Sequence, residues 1–270
     1  MKITCITVSV DYSDFLCWSL TENKTLFDQW IIVTSTKDVK TKELCDNHNV
    51  FCLQTDVFYE KGIFNKYAGI NEALKIVDKD SWVLFLDSDI MLPTLTKYIL
   101  ENIKLDTSCI YGIDRVNCEG LEKWIEYINK RNITFQNWLL HTSGMPLGAR
   151  LVHYFGEARD EGRFLGWRPL GFFQLAYRTS FSEYPQNTIG ADHCDLEFVR
   201  NWPREKRVFI PEILAIHLES VGATKGINWY GRKSLPFKTG IKVKWFQKIK
   251  QFFNRYIVGY FEKVKYKYYN

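Results

Sequence analysis

The 270-residue chain has no window approaching the roughly 18 predominantly apolar residues that a membrane-spanning helix needs, so it is expected to reach any membrane from outside. Its seven cysteines, at 5, 17, 45, 52, 109, 118 and 194, are odd in number and contain no C-x-x-C pair. That leaves neither a disulfide framework nor a zinc knuckle, and reduced thiols in a cytosol are the simplest expectation. Behind Met1 and Lys2 the apolar run Ile3–Val10 is cut short by Asp11 with no small-residue cleavage site, the mark of a strand rather than a signal peptide. Glycine (16) and proline (7) are too few for a collagenous or disordered chain, and neither internal repeats nor a low-complexity linker occur. Acid is nearly missing from residues 231–270, where Glu262 alone faces eleven Lys and Arg. That segment carries +10 of a chain whose total is +5, leaving −5 on residues 1–230. An acidic body with a basic arm predicts a partner surface that is negative and local.

What is present is alternation. Ile3–Val10, Trp30–Val33, Val50–Leu53 and Trp82–Leu86 read as short buried strands bounded by polar or turn residues. Ser13 is placed to cap a helix through about Leu26, and Asn65 to open another in which Ala68, Ile70, Ala73, Leu74 and Val77 recur at helical spacing. The order β-α-β-α-β predicts an α/β fold with a parallel, doubly wound sheet. Beyond it, Cys109–Ile113 reads as a strand, Leu121–Arg131 as a helix and Asn132–Tyr177 as irregular. Ala191–Trp202 then reads as a helix, Val208–His217 as a strand with Pro211 at its edge, and Val221–Thr239 as a Gly-rich loop.

The segment with most chemical content is the apolar strand Trp82–Leu86 running into Asp87, Ser88 and Asp89. Ligands of open parallel sheets sit at the carboxyl ends of the strands, so the two acids are delivered to that crevice. Carboxylates at i and i+2 can face one hard divalent cation, which prefers oxygen ligands and bridges to phosphates. A solvated turn is the plain alternative, since Asp and Ser favour turns.

With Phe64, Asn65, Lys66 and Asn71 about 20 residues upstream of that acidic pair, the chain resembles the glycosyltransferases of the GT-A fold, family 2 above all. The resemblance spans roughly Ile3 to Ser220. It implies a GT-A (Rossmann-like), mixed, mostly parallel sheet flanked by helices. Residues 1–230 would form the catalytic domain, with a nucleotide-sugar half (1–105) and an acceptor half (106–230). The activity implied is metal-dependent transfer of a hexose from a UDP-sugar to an acceptor hydroxyl with inversion, using Mn²⁺ or Mg²⁺.

Residue by residue, the resemblance assigns Asp11 and Thr34 to the nucleoside pocket, and Asn65 and Lys66 to the base and phosphates. Asp87, with Ser88 beside it, would approach the ribose and the metal, and Asp89 would be the direct metal ligand. His217, ending a late apolar strand, would be a further ligand, the alternative being a satisfied core histidine. Asp195 would be the catalytic base, because an acceptor hydroxyl is a poor nucleophile until its proton is being removed. Asp192 and Glu197 compete with it, and a plain first-turn acid is the bland alternative. Trp167, Gly171, Phe172, Phe173 and Gln174 would line the acceptor site, although core packing explains Phe172 and Phe173 equally well.

In the arm, Trp245, Ile249, Phe252 and Tyr256 recur at helical spacing among Lys242, Lys244, Lys248, Lys250 and Arg255. This describes a basic amphipathic helix suited to an anionic membrane surface, with an envelope saccharide or lipid-linked glycan as acceptor. A phage-type enzyme acting on hydroxymethylated pyrimidine bases in DNA is the rival, since lysines also neutralise phosphates. A non-catalytic nucleotide-sugar-binding protein would keep the sheet without working acids, which Asp87, Asp89 and Asp195 argue against. A nucleotidyltransferase would need a Gly-rich basic loop after the first strand, and none is present.

Overall fold

The computed structural model describes residues 1–59, 64–130, 150–151, 168–185, 191, 194–223 and 226–237. The parallel half consists of β1 (Ile3–Val8), β2 (Gln29–Ser35), β3 (Phe51–Thr55) and β4 (Trp82–Leu86). Its crossovers are α1 (Ser13–Asn23), α2 (Val39–His48) and α3 (Lys66–Leu74). There follow β5 (Ile90–Met91), α4 (Thr96–Asn102), β6 (Ile110–Glu119), α5 (Leu121–Lys130), β7 (Arg150–Leu151), β8 (Phe173–Tyr177), α6 (Cys194–Val199) and β9 (Arg207–Glu219). One sheet results, in the order β3-β2-β1-β4-β8-β6-β9-β5, with β7 paired to β6.

β1 to β4 are parallel to one another, β8 is antiparallel to both β4 and β6, and β6 runs parallel to β9. This is the mixed, mostly parallel sheet flanked by helices that the sequence predicts. The strands are apolar on both faces because both are covered. Ile3, Cys5, Trp82 and Leu84 pack with α1, α2 and α4, while Ile6, Val8, Val83 and Phe85 pack with α3 and α6.

Several expectations are corrected. Ser13 does not cap α1: it is the first helical residue, Tyr12 stands at the cap position with no side-chain hydrogen bond, and the helix stops at Asn23, not Leu26. The stretch expected to be irregular ends in β8, a strand buried between β4 and β6. Its neighbour β6 runs on from Ile113 to Glu119, so the polar residues past Ile113 lie in the sheet. β5 pairs with β9 only at Ile216 and His217, so at Pro211 no described strand lies on that side, as expected, and on the β6 side the register shifts, Gly112 pairing with Phe209 and Asp114 with Leu214. The ladder skips residues 210–213 there, which is where a residue without an N–H fits. The helix around Asp195 is described only over Cys194–Val199.

Candidate active site

The Asp87-Ser88-Asp89 turn is held by its backbone. Ile90 N–H donates to the Asp87 carbonyl (3.2 Å), Asp87 N–H to the Phe172 carbonyl (3.1 Å) and Leu218 N–H to the Asp89 carbonyl (2.8 Å). From below, Ser19 donates to the carbonyl of the buried Ser88 (2.7 Å). The buried Asn23 donates to Ile90 C=O (2.7 Å) and accepts from Leu92 N–H (2.9 Å). Two buried polar residues of α1 thus clamp the turn, and the side chains of Asp87 and Asp89 are aimed without needing backbone freedom.

Asp87 forms an ion pair with Lys66, which opens α3 behind its N-cap Asn65. Asn65 Oδ1 accepts from Tyr67 N–H (3.1 Å) and Ala68 N–H (3.2 Å), which fixes the helix entry and with it the lysine. Burial works against the Lys66 charge, but Asp87, then Asp195 and Asp89, hold its ammonium above the ordinary lysine range. A cation at a helix start opposes the helix dipole, and here the acids in front of it supply the compensation.

Asp89 faces β9. Its Oδ2 lies 3.4 Å from His217 Nε2, while its Oδ1 is buried with no hydrogen-bond partner. Burial pushes the Asp89 carboxyl up, yet His217 and Arg115 hold it below the usual carboxylate range. For His217, burial and Arg115 disfavour the charged ring, and Asp89 and Glu219 outweigh them, so its pKa lies above the ordinary imidazole value. His217 Nδ1 is 3.1 Å from Asn117 Oδ1 and 3.4 Å from Glu219 Oε1, and Asn117 Nδ2 donates to Glu219 (2.9 Å).

A buried carboxylate oxygen without a donor is costly, and a hard cation is one partner that would satisfy it. Among the described residues no group of three or more His, Cys, Asp and Glu is gathered to hold a metal by itself, because Asp87 is turned to Lys66. The donor set of Asp89 and His217, with Asp87 adjacent, fits a Mn²⁺ or Mg²⁺ that keeps part of its shell for phosphate oxygens.

Asp195 lies in the first turn of α6. Its Oδ2 accepts the Gly171 N–H and its Oδ1 its own neighbour Leu196 N–H, each at 2.9 Å. A Cβ on residue 171 would stand 2.8 Å from Asp195 Cβ, so only glycine allows this approach. Gln174 Nε2 donates to the carbonyls of Asp195 (3.1 Å) and Pro169 (2.9 Å), while its Oε1 accepts the Tyr184 hydroxyl (2.5 Å). Tyr184 is in turn held by both ends of the Asn71 amide, each at 2.8 Å. Burial raises the Asp195 carboxyl, with Gly171 N–H and Lys66 opposing. Glu197 is paired instead with Arg200 on an exposed flank.

Phe173 is fully buried within the sheet core, and Phe172 is buried with the Arg115 guanidinium 4.3 Å from its ring centroid. Gln174 is likewise buried and acts as a strut beneath Asp195. Trp167 and Asp192 lie outside the described residues. Of the two residues expected at a nucleoside, Asp11 N–H and the Thr34 hydroxyl both donate to Asp38 Oδ2 (2.7 and 3.0 Å), whose Oδ1 caps α2 through Thr41 N–H (3.2 Å). Asp11 is exposed and adopts φ +61°.

A strap formed by residues 226–237 crosses these loops. Trp229 C=O accepts Ala191 N–H (2.7 Å), and Gly231 approaches Tyr59 and Phe64. Arg232 pairs bidentately with Asp14, donates to Asp11 C=O (2.6 Å) and lies 4.7 Å from the Tyr12 ring. Phe237 stacks on Phe15 (4.7 Å). Tyr12 itself is partly buried, and desolvation, then the nearby Asp89, pushes its phenol well up.

Sequence reasoning missed Tyr12, Arg115, Asn117, Glu219 and Arg232. Glu219 was available as the i+2 neighbour of His217 on one strand face. Arg115 and Asn117 lie beyond the point at which the strand was expected to end, and Arg232 carries no local signal.

No known protein family matches the sequence, and no curated protein matches it. Among solved structures, the chain is similar to glucosyl-3-phosphoglycerate synthase from Mycobacterium tuberculosis, solved with Mn²⁺ and UDP-glucose. That match has 12% identity and a TM-score of 0.46, over 82% of this chain and 70% of that one. It is also similar to mannosyl-3-phosphoglycerate synthase from Rubrobacter xylanophilus, with 13% identity and a TM-score of 0.46 over 83% and 68%. A further mycobacterial protein matches at 13% identity and a TM-score of 0.41, and the chain spans 66% of its length.

Proposed function

We propose that the protein is a metal-dependent glycosyltransferase that moves a hexose from a UDP-sugar to an acceptor hydroxyl by single displacement with inversion. The observation that carries this reading is that Asp89 has an unsatisfied buried oxygen while Asp195 is a separately held carboxylate, and that the Gly171–Phe172 backbone links them, its N–H holding Asp195 and its carbonyl accepting Asp87 N–H. Lys66 lies in the field of both.

Asp89, with His217 and Asp87, would hold a Mn²⁺ or Mg²⁺, whose charge when bound stabilises the diphosphate leaving group. Lys66, kept protonated by its acids, offers a second positive charge to the phosphates. Asp11 and Thr34, joined through Asp38, border the nucleoside side, with the partly exposed Tyr59 beside them. Asp195 takes the acceptor proton as the acceptor oxygen bonds to the anomeric carbon and the bond from that carbon to the diphosphate breaks. Asn65, Asn71 and Gln174 act by position: they fix the helix entry and the strut that aim Lys66 and Asp195.

The proposed acceptor is an envelope saccharide or lipid-linked glycan, approached from an anionic membrane surface by the basic arm. DNA is the competing anionic partner for the same charge. Asp89→Asn tests the centre of the reading: Mn²⁺-dependent release of UDP from a UDP-sugar should fall by roughly 100-fold or more. Unchanged turnover and unchanged Mn²⁺ dependence would remove Asp89 from the metal site.

A further inference from the structure

One charged side chain of the crevice has no part in the chemistry above. Arg115 stands on β6 opposite Ala215 of β9, two residues before Asn117, which stands opposite His217, and four before Glu119, opposite Glu219. The period of two puts these residues on one face, a polar ledge on parallel strands. The small Ala215 leaves room over β9, and the Arg115 guanidinium lies 4.3 Å from the centroid of Phe172. The acids acting on it are Asp87, Asp89, Glu219 and Asp114, and the His217 ring is a further positive group whose charge Arg115 opposes.

Acids that share the field of one cation repel one another, and without that counter-charge one of them turns away or takes a proton. A guanidinium stacked on a ring is a fixed, planar cation that a flexible ammonium does not reproduce. Phe172 is itself a junction: its carbonyl accepts Asp87 N–H (3.1 Å), and the preceding Gly171 N–H holds Asp195 (2.9 Å).

We infer that Arg115 is a positioning residue, a resident cation that offsets the charge of Asp87, Asp89 and Glu219 before a divalent ion arrives and that pins Phe172 between the metal side and the base side. The inference rests on Asp89 being a metal ligand, and its test separates the two. Thermal unfolding of the nucleotide-free protein, with and without Mn²⁺, is the readout.

Arg115→Met is expected to lower the metal-free midpoint by roughly 5 °C. Mn²⁺ should then raise the midpoint of Arg115→Met by more than it raises the wild type, because the ion supplies the missing positive charge. Arg115→Lys, which keeps the charge without the stacked plane, should return the Mn²⁺ increment part of the way to the wild-type value. An arginine that merely packs would lower the midpoint and leave the increment equal in all three proteins, which overturns the inference.

If Arg115→Met does not fold, the double variant Arg115→Met/Glu219→Gln, which removes an acid together with the cation, should fold and show the enlarged increment; its failure also overturns the inference. If Mn²⁺ shifts not even the wild type, the metal reading falls by itself. Arg115 is then judged without metal, by whether the double variant is more stable than Arg115→Met, and equal stability refutes it.

Discussion

Asp195, the proposed base, illustrates what burial does to a carboxylate. Its carboxylate accepts two backbone N–H groups and sits in the field of Lys66, all of which favour the ionised form, yet desolvation outweighs them and its pKa is raised. A base must be ionised to accept a proton, so activity should fall as pH drops through the raised pKa of Asp195. That acid limb should stand at higher pH than an ordinary carboxylate would give. Asp195→Asn should lower kcat by about 10²–10⁴-fold while leaving UDP-sugar affinity unchanged, and its residual rate should lose this limb. A full-rate variant, or one that keeps the limb, would assign the base elsewhere. The residues legible in advance were those whose chemistry is local. Asn65 caps a helix, as its short polar side chain before an apolar repeat announces, and Asp87 and Asp89 close an apolar strand. Arg115 and Asn117 were not legible because what makes them part of the site is pairing with β9, about a hundred residues away in the chain.

At the scale of elements, the parallel half followed from continuous apolar runs, whereas the antiparallel half did not. β8 is short, follows a stretch rich in Gly, Trp and Phe, and takes its identity from lying between β4 and β6, a tertiary context that overrides weak local periodicity. The strap of residues 226–237 was read as a loop, correctly as regular structure goes, but its docking was invisible. The four Nη hydrogens of Arg232 are all engaged, by both oxygens of Asp14 and by the carbonyls of Asp11 and Leu235. Phe237 N–H adds a bond to Asp14 (2.6 Å), and Asn228 Oδ1 accepts from Lys233 and Ser234 (2.8 and 2.9 Å). Arg232 is therefore a latch whose four Nη hydrogens are already committed. Arg232→Met leaves the mostly buried Asp14 without its partner, which should cost about 2 kcal/mol, or about 4–8 °C in midpoint. Because the latch also anchors Tyr12 and Asp11 at the crevice, the variant should raise KM for the UDP-sugar more than it lowers kcat. A midpoint loss with an unaltered KM would show that the strap stabilises the protein without shaping the donor site.

For the whole molecule, charge and geometry bear on the same question. No helix among the described residues is long and apolar enough to cross a membrane. The described part of the basic arm ends at Phe237, which is stacked on Phe15, the residue after the Asp14 that Arg232 grips. Residues 238–270, with the amphipathic pattern expected for them, lie outside the described residues. Two properties of that pattern separate its possible partners. Both an anionic bilayer and DNA answer to the lysines, and both weaken with salt. Only a bilayer answers to the apolar stripe of Trp245, Ile249, Phe252 and Tyr256, since its interface accepts buried rings and a phosphate backbone does not. In the full chain, replacing Lys242, Lys244, Lys248 and Lys250 by glutamine should weaken binding to phosphatidylglycerol vesicles by roughly 100-fold or more, at about 1 kcal/mol for each lysine near the surface. Trp245→Ser/Phe252→Ser keeps every charge, and it should also release the protein from vesicles while leaving any retention on DNA unchanged. If the serine variant pelleted with vesicles as the wild type does, and only the glutamine variant lost an anionic partner, the arm would be an electrostatic tether. DNA would then displace the membrane as the surface that brings acceptor to the site.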